Sequence, residues 1–203
     1  LRWRQEQRRK HGKGFGTMLI NYETKTVIVT PYKNFSTTLE EIFSSMGWDK
    51  IHGSHPHIQG ENVIDYAVKD LYHKHNNVVG ERWTRAGYKV ILPLRNPYDR
   101  VRSMWKHVKG LSDKGWRKTK PFEDWFLEDS KCVCCLPVTR TYKYDHLVRV
   151  ENLLEDFESL DIKIDFVPHL NKSVKRSEKF SDLQKEQIYY LHYEDFKNGE
   201  YEK

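Results

Sequence analysis

TVIVTPYKNFSTTLEEIFSSMG, residues 26–47, is the stretch whose reading decides the fold. Val27 to Thr30 are β-branched, follow Thr26 and stop at Pro31, which predicts a short buried strand. Beyond the loop the period changes. Leu39, Ile42, Phe43 and Met46 fall at i, i+3, i+4 and i+7, one apolar helical face, and Gly47 stands where a glycine ends a helix. Thr37 and Glu40 have the spacing of a capping box, so the helix is expected to begin inside the loop. Ser36, Thr37 and Thr38 then lie beside the free amides of the first turn, and Lys33 just before them. Unpaired N–H groups, the positive end of the helix dipole, three hydroxyls and a lysine make an anion cradle. The same residues also read as an ordinary capped helix behind a strand, and the segment alone leaves both readings open.

Outward from this unit, KVILPL (residues 89–94) is a second strand, apolar throughout as parallel strands are when both faces are covered, with Pro93 marking its end. RNPYDRVRSMWKHVKG (residues 95–110) repeats the strand-to-helix logic. Asn96 suits an N-cap and Pro97 a first helical residue, Val101, Met104, Trp105 and Val108 form the apolar stripe, and Gly110 closes it. Arg95 is therefore expected at the carboxyl end of a strand, where open α/β sheets place ligands, with Ser103 about two helical turns on. A guanidinium and a hydroxyl there suit a second phosphate, since arginine offers a planar fork of donors. Arg100 and Arg102 read instead as solvated charges with local acidic partners such as Asp99.

Elsewhere, IHGSHPHIQG (residues 51–60) reads as a loop whose histidines supply a general base, lie on the surface or bind a metal. Residues 61–75 and 121–129 read as helices, residues 146–150 as a third strand, 152–160 as a helix, and 181–196 as a last helix. Strands alternating with helices predict an α/β domain with a central, mostly parallel sheet flanked by helices. No glycine-rich loop ends in glycine, lysine and serine or threonine, which argues against an ordinary nucleotide triphosphatase.

The 203 residues fit one domain. Of the net charge of +6, residues 1–17 carry +5, from six Lys/Arg against Glu6, so +1 remains for residues 18–203. The basic leader reads as a flexible arm, linker or remnant, with Met18 as the expected start of the domain. No run approaches the roughly 18 apolar residues of a membrane span. Cys132, Cys134 and Cys135 are too few for a disulfide framework, and a zinc site would need a fourth ligand such as His146. A reduced, structural cluster and a reducing compartment are the expectation.

The combination resembles the sulfotransferases that use 3′-phosphoadenosine 5′-phosphosulfate (PAPS), in particular the Golgi-type, family 2-like carbohydrate sulfotransferases. Five segments in order carry the resemblance, spanning about Thr26 to Tyr201. YKNFSTTL looks like the 5′-phosphosulfate loop, and LRNPYDRVRSMW like the 3′-phosphate segment. DHLVRVENLLEDFESL, VPHLNKS and IYYLHYEDFKNGEY look like later signatures. Phe35 and Ser36 stand where the family has two small residues, usually including glycine, and Tyr32 stands where it has proline, here moved to Pro31.

The resemblance implies a P-loop-like three-layer fold and sulfuryl transfer from PAPS to an acceptor hydroxyl, on a saccharide, with 3′-phosphoadenosine 5′-phosphate (PAP) as product and no metal. It places Lys33 at the transferred group and leaving phosphate. The donor loop it implies comprises Lys33, Asn34, Phe35, Ser36, Thr37 and Thr38, with Ser36, Thr37 and Thr38 at the 5′-phosphate, and Arg95 with Ser103 at the 3′-phosphate. In HGSHPHI it implies one imidazole as general base, His55 first, then His57 and His52. A P-loop-like kinase, or a non-catalytic polyanion or nucleic-acid binder using the basic arm, are the competing readings; nucleic acid is not the expected partner. The expected location is the cytoplasm, or the Golgi lumen for an excised catalytic domain.

Overall fold

The computed structural model describes residues 16–31, 33–52, 80, 81, 83–113, 137–168 and 180–203. Strand β1 (Gly16–Asn21) and strand β2 (Thr26–Pro31) form an antiparallel hairpin in which Met18 faces Val29 and Asn21 faces Thr26. The Asn21 carboxamide oxygen accepts from the amides of Glu23 and Thr24, which fixes the turn between them. Helix α1 (Ser36–Ser45) follows the loop after β2, and Gly47 ends it at φ 80°, its N–H donating to the Ser44 carbonyl. Strand β3 (Asp49–His52), strand β4 (Lys89–Leu94), helix α2 (Pro97–Asp113) and the short helix α3 (Val138–Thr141) come next. Strand β5 (His146–Arg149), a 3₁₀ turn (Val150–Asn152), helix α4 (Leu153–Glu158), helix α5 (Asp182–Leu191) and helix α6 (Tyr193–Asn198) complete the described elements.

The sheet order is β3-β1-β2-β4-β5. It is mixed: β2, β4 and β5 run parallel, while β1 pairs antiparallel with both β2 and β3. The expected parallel sheet is thus its β2-β4-β5 part, extended by an antiparallel pair. Residues 16 and 17 belong to β1, so the strand begins upstream of the expected boundary at Met18. Asp49–His52 is a strand, where residues 51 and 52 were expected to open a loop.

Alternation along the strands sends side chains into two cores. On one face Leu19, Ile28, Ile91 and Val148 meet Leu39, Ile42, Phe43 and Trp48, together with Leu153 and Phe157 of α4. On the other face Met18, Ile20, Val27, Val29 and Val90 pack under Trp83, Tyr88, Tyr142 and Tyr144. Leu92 and Leu94 continue that second face against Val138 of α3. Burial of Leu39, Ile42 and Phe43 stabilises α1 against the sheet by about 1.5 to 3 kcal/mol each. Coverage of both faces is the reason KVILPL is apolar along nearly its whole length.

Three helix boundaries also differ from the sequence expectation. Helix α2 runs on through Gly110 to Asp113. The expected helix over 152–160 opens as a 3₁₀ turn and is α-helical only over α4. The expected single last helix is two, broken at His192, and Leu183 of its apolar stripe is exposed. The expected helices over 61–75 and 121–129 and the three cysteines lie outside the described residues.

Candidate anion-binding site

The register of the sheet sets two loops side by side. β2 and β4 pair in parallel through Ile28 and Ile91, and both strands end three residues later, at Pro31 and Leu94. The chain therefore leaves the sheet twice at one edge, from neighbouring parallel strands. His52 comes to this edge as well, since it pairs with Thr17 of β1, which pairs on its other side with Thr30.

After β2 the chain reverses abruptly. The Asn34 amide donates to the Pro31 carbonyl at 3.1 Å, and Lys33 and Phe35 on either side of Asn34 adopt left-handed backbone, at φ 64° and 65°. Left-handed backbone in a non-glycine residue costs about 1 to 2 kcal/mol, so this loop holds its shape against local preference. Phe35 is the N-cap of α1, and its carbonyl accepts from the amides of Thr38 and Leu39 at 3.1 Å. Its half-buried ring packs against the α1 core beside Leu39 and Phe43.

The capping box expected of Thr37 and Glu40 does not form. Thr37 is the second residue inside the helix rather than its cap, and the Glu40 carboxylate pairs with Lys50 of β3. Since phenylalanine has no side-chain acceptor, no side chain among the described residues caps α1. The amides of Ser36 and Thr37 have no acceptor among the described residues. An uncapped helix start, with its dipole directed outward, is suited to a bound anion. Ser36 is half-buried, Thr37 exposed and Thr38 buried, and Lys33 is half-buried one residue ahead of Asn34. Asn34 itself is fully buried, with neither side-chain Oδ1 nor Nδ2 hydrogen-bonded among the described residues. A buried carboxamide without partners costs a few kcal/mol in general, which marks the loop as incomplete by itself.

After β4, Arg95 is followed by Asn96, whose side chain accepts from the Tyr98 amide at 2.9 Å and whose carbonyl accepts from the Arg100 amide. The expected cap and the expected start of α2 at Pro97 are both present. Arg95 is half-buried and makes no ion pair among the described residues, in contrast with the other arginines around it. Arg102 pairs with Asp99 at 2.6 Å, as expected of a local partner, and lies over the Phe180 ring. Arg149 pairs with Asp156 and Glu200. Arg100, expected to be solvated, is buried, with Nη1 3.8 Å from an Asp195 oxygen. Its helical position among Val101, Met104 and the rest of the inward face leaves it no route to water.

Ser103 lies on the half-buried flank of α2, seven residues beyond Asn96 and so about 10 Å along the helix axis. Of the candidate bases, the His52 backbone ends β3 at the shared edge, while His55 and His57 lie outside the described residues. His146, the suggested fourth zinc ligand, begins β5, and no metal-holding group of three or more His, Cys, Asp or Glu occurs among the described residues. No helix among the described residues is long and apolar enough to cross a membrane.

Two sets of residues beside the site fall in segments marked out by the resemblance alone, with no role read for them. Glu151 and Tyr201 meet at the end of β4, with the Tyr201 hydroxyl 2.6 Å from the Glu151 carboxylate and 3.1 Å from the Leu94 carbonyl. Burial, then the Glu151 carboxylate, hold that phenol protonated well above its ordinary range. Below them, Asp195 is fully buried and accepts from the Val138 amide at 2.9 Å and from the Thr139 amide and hydroxyl at 2.8 Å. His192 Nδ1 lies 3.4 Å from the same carboxylate. Burial alone would raise the Asp195 carboxyl, but the His192 hydrogen bond and the Arg100 charge outweigh it and hold it below the usual range. Burial, followed by the Arg100 charge, depresses His192 despite its bond to Asp195. Burial thus favours the neutral imidazole, and Nδ1 is the ring nitrogen that faces the carboxylate. Comparison of the chain with protein-family models, with curated proteins and with solved structures finds no match.

Proposed function

We propose that the chain is a PAPS-dependent sulfotransferase on a P-loop-like three-layer fold, moving a sulfuryl group to an acceptor hydroxyl of a saccharide. The observation that carries this reading is the pairing of two anion-suited positions at one sheet edge. One is the uncapped start of α1 behind the left-handed turn at Lys33 and Phe35, and the other is Arg95, without an ion pair among the described residues, after the neighbouring parallel strand. A donor phosphorylated at both its 5′ and 3′ positions requires two such positions, whereas a simple phosphate ester requires one.

In this reading the amides of Ser36 and Thr37, with the hydroxyls of Ser36, Thr37 and Thr38, hold the 5′-phosphate, and Asn34 completes the loop from below. Arg95 holds the 3′-phosphate, with Ser103 as its partner on α2. Lys33 neutralises charge that grows on the bridging and equatorial oxygens as the sulfur–oxygen bond to the 5′-phosphate breaks. Transfer of this kind depends on positioning and charge stabilisation more than on covalent chemistry by the protein. The acceptor oxygen forms the new bond to sulfur and gives its proton to a histidine, a side chain whose ordinary pKa suits the task. His55, His57 and His52 are the proposed candidates for that role.

The test is thermal unfolding with PAP. At a hundred times its Kd a ligand of the native state adds about 2.7 kcal/mol, which raises Tm by roughly 5 to 11 °C for a chain of this size. Arg95→Ala is expected to remove most of that rise while leaving the ligand-free Tm within a degree or two. The absence of any rise in the wild-type chain at millimolar PAP would refute the donor assignment.

A further inference from the structure

Tyr201 and Glu151 hold the chain on both sides of Arg95. The Tyr201 hydroxyl shares its one proton between Glu151 Oε2 at 2.6 Å and the Leu94 carbonyl at 3.1 Å, the residue before Arg95. The other oxygen of the same carboxylate, Oε1, accepts from the amide of Asn96 at 2.9 Å, the residue after Arg95. The two peptide groups that flank Arg95 are thus tied to one carboxylate–phenol pair.

The end of the chain is shaped to bring Tyr201 there. Its amide returns to the Phe196 carbonyl at 2.9 Å, and Glu200 before it is left-handed at φ 56°. Gly199 allows the return: a Cβ at that position would stand 2.4 and 2.7 Å from Tyr201 ring atoms and 2.9 Å from Leu94 Cδ2. The ring packs with Leu92, Leu94 and Val138 on one face of the sheet. Arg149 ties Glu200 to Asp156, which fixes the segment from its other side.

Resting on the donor reading above, we propose that Tyr201 and Glu151 are positioning residues that fix the direction of Arg95 toward the 3′-phosphate of the donor. They touch the backbone around Arg95 and not the nucleotide. Their effect passes through that guanidinium and is confined to nucleotides bearing a 3′-phosphate. Truncating a long flexible side chain and loosening its backbone have related costs, because a charge-assisted contact depends on both reach and direction.

The experiment titrates PAP and adenosine 5′-phosphate by calorimetry into the full chain and into Tyr201→Phe, Arg95→Ala and the double variant. Phenylalanine keeps the ring packing and deletes only the hydroxyl. The expected result for Tyr201→Phe is a loss of about threefold to tenfold in PAP affinity, the worth of one such hydrogen bond, with adenosine 5′-phosphate affinity unchanged. In the Arg95→Ala background the same substitution is expected to have no further effect, as residues acting through one contact are not additive. An equal loss for both nucleotides, a full additional loss in the Arg95→Ala background, or PAP affinity within twofold of wild type would each overturn the inference while leaving the donor reading standing. Failure of the wild-type chain to bind PAP overturns both. If Tyr201→Phe unfolds, Glu151→Gln, which keeps an acceptor for the Asn96 amide but removes the charge, must show the same 3′-phosphate-confined loss or the inference fails.

Discussion

Replacing Asp195 with alanine tests the packing that holds the last helices to the sheet. The side chain is fully buried, and it receives the Val138 amide, the Thr139 amide and the Thr139 hydroxyl at 2.8 to 2.9 Å, with His192 and Arg100 beside it. Alanine removes the acceptor of all three of these hydrogen bonds at once and takes away the carboxylate that lies 3.8 Å from the buried Arg100 guanidinium. Breaking a buried pair by deleting one partner costs about 3 to 5 kcal/mol, a large share of the roughly 5 to 15 kcal/mol that stabilises a typical domain. Asparagine at the same position keeps one acceptor oxygen but turns an amide nitrogen toward a second donor, so its cost is expected near 2 to 3 kcal/mol. Urea unfolding at pH 7, followed by far-ultraviolet circular dichroism with the m-value held in common, measures both. A loss below about 1 kcal/mol for Asp195→Ala would show that α3 and α6 are not joined through this carboxylate.

Two further predictions concern the same region and the loop. His192 is depressed by burial relative to its unfolded value near 6.5. The unfolded chain therefore binds the extra proton first, and stability falls as pH drops from about 7 toward the folded pKa, by at most about 1.4 kcal/mol per pH unit for this one proton. His192→Phe should flatten the dependence of the urea midpoint on pH between 7.5 and 5.5; an identical slope in both proteins would exclude His192 as its source. At Phe35, substitution by glycine should leave a more stable protein than substitution by alanine, by about 1 kcal/mol, because both lose the ring's packing and only glycine relieves the left-handed backbone. Alanine proving equal or better, as in an ordinary helix interior, would refute the left-handed cap.

What the sequence revealed and what it hid divide by the range of the signal. The β2 strand, α1, β4 and the start of α2 were legible because apolar period, Pro31, Asn96 and Pro97 act within a few residues of where they stand. The hairpin strand β1 and the edge strand β3 were not, since their pairing is set by partners and three of the four residues of Asp49–His52 are charged or polar. Arg100 resembled a solvated charge because its partner is 95 residues away. Tyr201 and Gly199 lie in a segment marked out by resemblance but had no local physical reason to matter, and their roles became visible only where the chain folds back on Leu94. The false capping box has the same cause. The Thr37 to Glu40 spacing is local and real, but a left-handed phenylalanine one residue before the helix leaves no mark on the period.

That phenylalanine also bears on the site's chemistry. A glycine in an anion loop serves two ends, a backbone angle forbidden to most residues and a close approach unobstructed by a side chain. Phe35 adopts the angle at φ 65° regardless of its Cβ. Its ring packs toward Leu39 and Phe43 in the α1 core, and burial of apolar surface there offsets at least part of the backbone strain. With the ring engaged in the core, and the Ser36 and Thr37 amides without acceptors among the described residues at the helix start, the loop meets both requirements of the proposed anion site without glycine. The loop's unusual residue is then a source of rigidity: a ring anchored in the core holds the turn at Lys33 and Asn34 in one shape, where glycine would leave it many.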